Sequence, residues 1–344
     1  MRYVGFYFNF SWRVDDRLEF QMKIVHDIHT HNVMSNCCHD SSASTEALIA
    51  KEIELGNRVY GLSNHIWDES VPGASIRYRR QNISVSEECR AALKKERNGI
   101  RCLFGAETEY FGCKGLLGMS LEGAQHFDFI LVPHTHLHNR NEVMADYPEI
   151  KEMREMIGAK IRESCSFLTD DTVRVMTEAL NEAHLMKYVP EMKTNVGEYV
   201  VRCATNNLQS LMEHEEFLKI CRTVPTSIAH PFELCGFTGL QQNEYLRLLD
   251  DNTLINCFSK AKMLGVYVEI NTWSVRGCGL DFASNEMMRM FSIAKQVGCQ
   301  FTFGTDAHSI EGLELIRLAN DICAYLGLTR SDIAPYLAED GVID

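Results

Sequence analysis

Short apolar runs recur along the chain, separated by stretches whose apolar residues fall at helical spacing. The runs are Ile24 to Ile28, Val59 to Ser63, Ile100 to Ala106, Phe127 to Pro133, Ser227 to Ala229, Val266 to Ile270 and Phe301 to Gly304. Runs of this length, bounded by turn residues, read as strands buried on both faces. The intervening helices close on glycine: Ser44 to Leu55 before Gly56, Leu254 to Leu264 before Gly265, Ser284 to Val297 before Gly298, and Leu313 to Leu326 before Gly327. Glycine suits those ends because the chain turns there through positive φ. The repeated order of strand, helix, glycine and strand predicts an α/β protein with a parallel sheet. Seven such strands predict a closed or nearly closed barrel.

One stretch breaks the rhythm. Between His138 and Thr226 no strand is predicted, and helices are expected over Asn141 to Ser166, Thr172 to Tyr188 and Asn207 to Cys221. This stretch, about 138–225, is far longer than one crossover helix. It reads as a helical insertion that covers the strand ends as a lid, with packing on the outer wall as the alternative. Residues 1–21 are aromatic but carry no cleavage-site pattern, and Met22 leads directly into the first strand. They read as an N-terminal extension or a misassigned start, with a packed strand as the alternative. Residues 22–344 then form a single domain.

The polar residues at the strand ends suggest chemistry. Six of the seven runs end in histidine or an acid: His29 and His31, His65, Glu107, His134 and His136, His230, and Asp306 with His308. The remaining run ends near Glu269 and Asn271. In an alternating barrel the C-terminal strand ends collect on one face, where the loops build the site. Imidazoles and carboxylates clustered there suit divalent metal. In His29-Thr30-His31 the two rings point the same way if the segment is extended, so both reach one metal. Asp306-Ala307-His308 repeats that geometry at the other end of the chain, and the two segments meet only if the sheet closes.

Composition narrows the classes. A content of 45% hydrophobic and 24% charged residues belongs to a globular protein able to fill a sizeable core. A formal charge of −13 argues against a nucleic-acid partner, which favours a basic surface. No run approaches the roughly 20 apolar residues that span a bilayer, so no membrane partner is expected. The 13 cysteines include no Cys-x-x-Cys pair and no framework spacing, so reduced thiols and a cytoplasmic setting are expected. Cys37 and Cys38 are expected to pack or to line the site. There is neither a Walker-type loop nor a Gly-x-Ser-x-Gly elbow, which removes the P-loop and serine-hydrolase readings.

Five segments stand in a telling order: Asp27-Ile28-His29-Thr30-His31, Leu62-Ser63-Asn64-His65, Gly105-Ala106-Glu107-Thr108-Glu109, Ile228-Ala229-His230-Pro231 and Gly304-Thr305-Asp306-Ala307-His308. In these the chain resembles the PHP (polymerase and histidinol phosphatase) family of metal-dependent phosphoesterases, especially its histidinol-phosphatase-like branch. The resemblance implies a distorted seven-stranded (β/α) TIM-like barrel holding two to three divalent metal ions, Zn, Mn or Fe. It implies His29, His31, His65, Glu107, His230, Asp306 and His308 as ligands. Two more ligands are open. The family places a His or Asp after the paired histidines, where Asp40 is preferred here to His39. It places a His seven positions after the aspartate matching Asp128, but position 135 is Thr, so His134 or His136 must serve, and His134 is preferred.

The supporting residues follow from the same segments. Glu107 suits a bridge between two cations, and Glu109 is expected to support a ligand histidine. Asn64 and Glu269 serve likewise or are satisfied strand-end polar groups. His26 points away from His29 in a regular strand and reads as a hydrogen-bonded core residue. His138, His184 and His214 read as loop or surface histidines. Trp67 walls the pocket or is simply buried. Arg77, Arg79 and Arg80 are candidate phosphate ligands, with a solvated loop as the alternative. The expected reaction is attack by a metal-bridging hydroxide on a small phosphorylated metabolite, with Asp306, His308 and His230 as the catalytic groups. L-Histidinol phosphate, from histidine biosynthesis, is the branch's best-known substrate. An amidohydrolase-like hydrolase and a non-catalytic metal-binding module are the alternatives; the former normally bridges its metals with a lysine, where this chain has Glu107. The oligomeric state is not fixed by the sequence.

Overall fold

Each of the seven apolar runs forms a parallel strand: β1 His26–Asp27, β2 Val59–Leu62, β3 Arg101–Glu107, β4 Phe129–Val132, β5 Thr226–Ile228, β6 Tyr267–Asn271 and β7 Phe301–Gly304. They lie in chain order across one sheet. The structure is a computed structural model that describes residues 22–93, 99–137, 140–144 and 148–344. Strands β2, β4, β5 and β7 are buried along their whole length, which is why the sequence shows continuous apolar runs rather than alternation. In β3, a Cβ at Gly105 would lie 2.1 Å from the Phe129 ring, so glycine lets that ring pack against the backbone.

The sheet closes between its first and last strands. Ile28 N–H donates to Phe303 O at 3.1 Å, Asp306 N–H to His29 O at 2.7 Å and His31 N–H to Ala307 O at 2.9 Å. Thr30 and Ala307 form a parallel bridge, so the His29–His31 and Asp306–His308 segments lie side by side. The result is the nearly closed, seven-stranded TIM-like barrel that the strand count predicts.

The opposite end of the barrel is sealed by the tail. Lys23–Ile24 pairs antiparallel with Val342–Ile343, and Arg101 grips Asp340 through two nitrogens at 2.6 and 2.7 Å. His26 is buried there as a core residue. Its Nδ1–H donates to Gly341 O at 2.7 Å, and its Nε2 accepts from Phe303 N–H at 3.2 Å.

The helices start at polar caps and end where glycine turns the chain. Ser44 Oγ accepts from Ala47 N–H to open Thr45–Leu55, and Gly56 closes it at φ 84°. Asp250 and Asn285 cap Asp251–Leu264 and Glu286–Gln296. One element differs: the stretch ending at Leu326 begins as a 3₁₀ helix, Glu311–Arg317, and becomes α-helical only over Leu318–Leu326. Over two turns, apolar spacing does not separate a period of 3.0 from 3.6.

The insertion is helical over its described residues. Its longest helix, Lys193–Leu211, starts well before the expected Asn207 and buries Val196, Val200, Ala204, Leu208 and Leu211. That stripe packs against Gln242–Leu246 and Asp251–Leu264, outside the barrel. Glu215–Cys221 packs on Leu121–Ala124 in the same way. Asn207 Nδ2–H donates to His134 O and Val143 O at 3.3 and 2.9 Å, fixing the loop after β4 from behind. No described residue of the insertion lines the cavity over the strand ends. Residues 1–21 and His138 lie outside the described residues. No described helix is long and apolar enough to cross a membrane, and no disulfide joins the described cysteines.

Candidate metal centre

Glu107, the last residue of β3, is buried at the centre of the strand-end face. Its two oxygens face different sets of imidazoles. Oε2 lies 3.0 Å from His65 Nδ1, 3.3 Å from His29 Nε2 and 3.4 Å from His31 Nε2. Oε1 lies 3.0 Å from His230 Nε2 and 3.3 Å from His136 Nε2. Asp306 closes the near side, its Oδ1 3.0 Å from His31 Nε2 and 3.5 Å from His29 Nε2. A carboxylate flanked on both oxygens in this way is suited to bridge two cations.

Neighbouring groups aim these rings. His29 Nδ1–H donates to Glu269 Oε1 at 2.6 Å, and the other Glu269 oxygen accepts from His230 N–H at 2.6 Å. His136 Nδ1–H donates to Glu109 Oε1 at 2.7 Å, and His308 Nδ1–H to Asp306 O at 2.7 Å. The three ring contacts place the Nδ1 proton and turn Nε2 of His29 and His136 toward Glu107. Asp306 and His230 sit at φ 56° and 26°, backbone that non-glycine residues seldom adopt. Such positions cost about 1–3 kcal/mol each and cluster at functional sites. Behind them, Thr305 Oγ1–H donates to Asp27 Oδ2 at 2.6 Å and holds the turn.

The carboxylates and imidazoles of the cluster shift one another against burial. Burial opposes ionisation of Glu107, yet His65, His29 and His136 hold its carboxyl well below the usual range. Burial likewise opposes ionisation of Asp306, and His29 and His31 hold it down. Burial would lower His29, but Glu269, Asp306 and Glu107 push it well above its ordinary value. His136 is raised against burial by Glu109 and Glu107. Burial takes His31 down to about 4 and His65 to about 3.

The fit to metal rests on orphaned atoms. His29 Nε2, His31 Nε2, His65 Nδ1 and Glu107 Oε2 are buried with no hydrogen-bond partner. An unsatisfied buried polar group costs about 1–3 kcal/mol. Four of them converging on one space are therefore accounted for by a ligand that accepts lone pairs. Three donor sets form around Glu107, each with its atoms within 4.8 Å of one another: His29, His31, Glu107; His29, His230, Asp306; and His65, Glu107, His136. Imidazole and carboxylate donors in such sets suit divalent Zn, Mn or Fe.

The structure gathers His29, His31, His65, Glu107, His230, Asp306 and His308, as the motifs imply. It does not bring in the other two expected ligands. His134 is buried with its ring edge against Phe232, 4.8 Å between centroids, and His136 occupies the cluster instead. The chain leaves strand geometry after Val132 and turns at Leu137 N–H to Thr135 O, so counting from Asp128 no longer selects the inward residue. Asp40 accepts from Ser42 N–H at 2.9 Å and Ile310 N–H at 3.1 Å, outside the cluster, and His39 is exposed. Cys37 joins the cluster in their place.

Above the centre is a cavity of about 240 Å³ lined by Cys37, Arg77, Tyr78, Gln81, Asp306 and His308, among others. Of the three arginines, Arg77, itself exposed, is the one that lines this cavity. Arg79 and Trp67 line a separate hollow with Glu69, and Arg80 is exposed and lines neither. Glu109 and Glu269 accept hydrogen bonds from the His136 and His29 rings. Asn64 Oδ1 accepts from Asn32 N–H at 3.0 Å and organises the loop after β1. His184 is exposed, and His214 bonds Gly115 O at 3.2 Å, away from the cluster. Glu233 carries no motif that would single it out in the sequence. It is 3.6 Å from His230 Nδ1, accepts from Ser274 Oγ–H at 2.8 Å, and is raised chiefly by burial.

No family model matches the chain, and no curated protein matches it. Among solved structures the chain is similar to the histidinol phosphate phosphatase HisK of Lactococcus lactis subsp. lactis, complexed with zinc, L-histidinol and phosphate. The two share 13% identity with a TM-score of 0.52, covering 88% of this chain and 94% of that one. A proposed histidinol phosphatase HisK of Listeria monocytogenes matches at 12% identity and a TM-score of 0.49, covering 84% of this chain and 97% of that one. At such identity the lactococcal likeness is one of fold: the same TIM-like barrel.

Proposed function

We propose that this chain is a PHP-type metal-dependent phosphatase acting on a small phosphomonoester, with L-histidinol phosphate as the first candidate. The observation that carries the reading is Glu107, a buried carboxylate with imidazoles at both oxygens and orphaned donors around it. Its fold likeness to a phosphatase complexed with zinc, L-histidinol and phosphate supports the substrate class. His29, His31, His65, Glu107, His136, His230, Asp306 and His308 would hold the cations. When bound, these supply Lewis acidity and a water of lowered pKa.

The chain's own groups do the rest. Arg77 stands at the cavity wall, where its guanidinium donors neutralise and orient the phosphoryl oxygens. Asp306 lines the same cavity with an ionised carboxylate that orients an attacking water. His230 is fully buried against Glu107, so it serves as a ligand rather than touching substrate. His308 lines the cavity wall and completes the ring of donors beside His31. A cavity of about 240 Å³ lies below the range of about 300–1,000 Å³ typical of drug-sized ligands, which favours a small metabolite over a polymer. Among the described residues no lysine lines the cavity, which disfavours an amidohydrolase with a lysine-derived bridge. The gathered donor set disfavours a non-catalytic module.

The test is phosphate release from a panel of phosphomonoesters that includes L-histidinol phosphate, before and after chelation and with Zn²⁺ or Mn²⁺ restored. Turnover of at least one panel member that chelation abolishes and metal restores is expected. Turnover indifferent to chelator would overturn the reading.

A further inference from the structure

We propose that Cys37 is a metal ligand, its thiolate joining His31, His65 and His308 to hold a zinc-like cation on the Oε2 side of Glu107. This rests on the reading of the centre as metal-binding and identifies its donor chemistry. The loop after β1 folds through two successive turns, Ser35 N–H to Asn32 O and Cys38 N–H to Ser35 O, each at 3.0 Å. The turns carry Cys37 back beside His31. The four side chains offer donor atoms within 4.8 Å of one another. Tetrahedral zinc, with Zn–N of about 2.0–2.1 Å and Zn–S of about 2.3 Å, sets ligand atoms roughly 3.3–3.8 Å apart. Side-chain shifts of about an ångström therefore close the set around an ion.

Independent observations point the same way. His31 Nε2 and His65 Nδ1 are buried and without hydrogen-bond partners. The His31 ring stacks with His65 at 4.7 Å and with His308 at 4.4 Å between centroids, so the three imidazoles form one wall beside Cys37. Cys38 steadies that wall, its Sγ–H donating to His308 O at 3.2 Å. Asp40, the carboxylate expected to complete this part of the site, is committed to Ser42 and Ile310. Because His31 and His65 also face Glu107 Oε2, that carboxylate is a fifth donor within reach of the same cation, and the proposal adds no separate ion. On binding, the thiol proton goes to solvent and a sulfur lone pair makes the new bond. A thiolate favours zinc over manganese, which prefers oxygen donors.

The experiment loads chelator-stripped protein with Co²⁺ and reads its absorption. Wild type should show the d–d bands of bound cobalt together with near-ultraviolet thiolate-to-cobalt charge transfer. Cys37→Ser should keep bound cobalt but lose the charge-transfer band, whereas Cys235→Ser, altering the other cavity cysteine, should keep both. Outer-shell changes already cost about 10–100-fold in metal affinity. Cys37→Ser should therefore weaken zinc retention by at least about tenfold and narrow the preference for zinc over manganese. Alkylation of wild type, read by peptide mass spectrometry, should be slower at Cys37 with zinc bound than without, a readout that needs no variant. Cobalt bound without the thiolate band, a band that survives in Cys37→Ser, or equal alkylation with and without zinc would overturn Cys37 as a ligand. Failure to bind cobalt or zinc at all would instead overturn the metal centre itself.

Discussion

Glu269 shows how much of the centre depends on residues that never face the cavity. One of its oxygens orients His29 and the other holds the backbone of His230, each at 2.6 Å. Glu269→Gln leaves only one oxygen to accept and turns an amide N–H toward the second donor. Metal affinity, read by competition with a chelator, should fall by about 10–100-fold, while the far-ultraviolet spectrum stays unchanged. Unaltered affinity would remove Glu269 from the account. Arg77 makes the opposite kind of prediction. Arg77→Ala should lower kcat/KM by about 10–100-fold, the loss of one charge-assisted contact of about 1.5–3 kcal/mol, with metal content unchanged. Arg79→Ala and Arg80→Ala should match wild type in the same steady-state assay, since neither residue lines the cavity. At this scale the sequence is most legible where a polar residue ends or extends a strand, as with Glu107 and His65, because strand geometry fixes its direction. Loops are less legible. Nothing local tells His134 from His136 once the chain turns after Val132, or shows that Asp40 bonds Ile310 while Cys37 folds inward.

The seam between β1 and β7 is where an element-level change should reach the site. Gly304 ends β7, and a Cβ there would lie 2.3 Å from His29 Cβ and 2.6 Å from Glu269 Oε1. Gly304→Ala thus forces apart the pair that orients the first ligand. Overpacking of this kind costs about 1–3 kcal/mol, and the shift should appear both in thermal unfolding and in metal content. Gly277, at the end of Thr272–Gly277, has nothing within 4 Å of an added Cβ, so Gly277→Ala should be neutral or slightly stabilising. Equal effects of the two substitutions would contradict the packing argument. The barrel strands and glycine-ended helices are legible in the sequence because each is a run long enough to show its period. The pair Lys23–Ile24 with Val342–Ile343, and the hairpin of Tyr110–Phe111 with Leu116–Leu117, are two-residue strands too short for any pattern. The surface that the insertion covers is illegible for a related reason. A stripe such as Val196, Val200, Ala204 and Leu208 says that a helix is buried on one side, but not which surface it meets.

Across the whole molecule, closing the barrel gives the chain both its centre and a pH limit on its stability. At the end away from the centre, burial lowers His26 from its ordinary 6.5 to about 4. Between those values the unfolded chain binds the extra proton. His26 therefore contributes its full stability above about pH 6.5 and loses it as pH falls toward about 4, a change of about 3 kcal/mol. The difference in unfolding free energy between wild type and His26→Gln should shrink by that order across this window. Parallel pH profiles would show that His26 carries no such linkage. The motif pairs at the two ends of the chain themselves point to closure, because His29-Thr30-His31 and Asp306-Ala307-His308 share a centre only in a closed sheet. The central claim is that this closed face is a multinuclear metal site that hydrolyses phosphomonoesters. It is tested most directly by titrating chelator-stripped protein with Zn²⁺ while following phosphate release from the best panel substrate and metal bound per chain. Turnover should be absent without metal and reach its plateau at two to three ions per chain, and Glu107→Gln should both bind fewer ions and lose turnover. Full turnover in metal-free protein, or wild-type stoichiometry and rate in Glu107→Gln, would contradict the account.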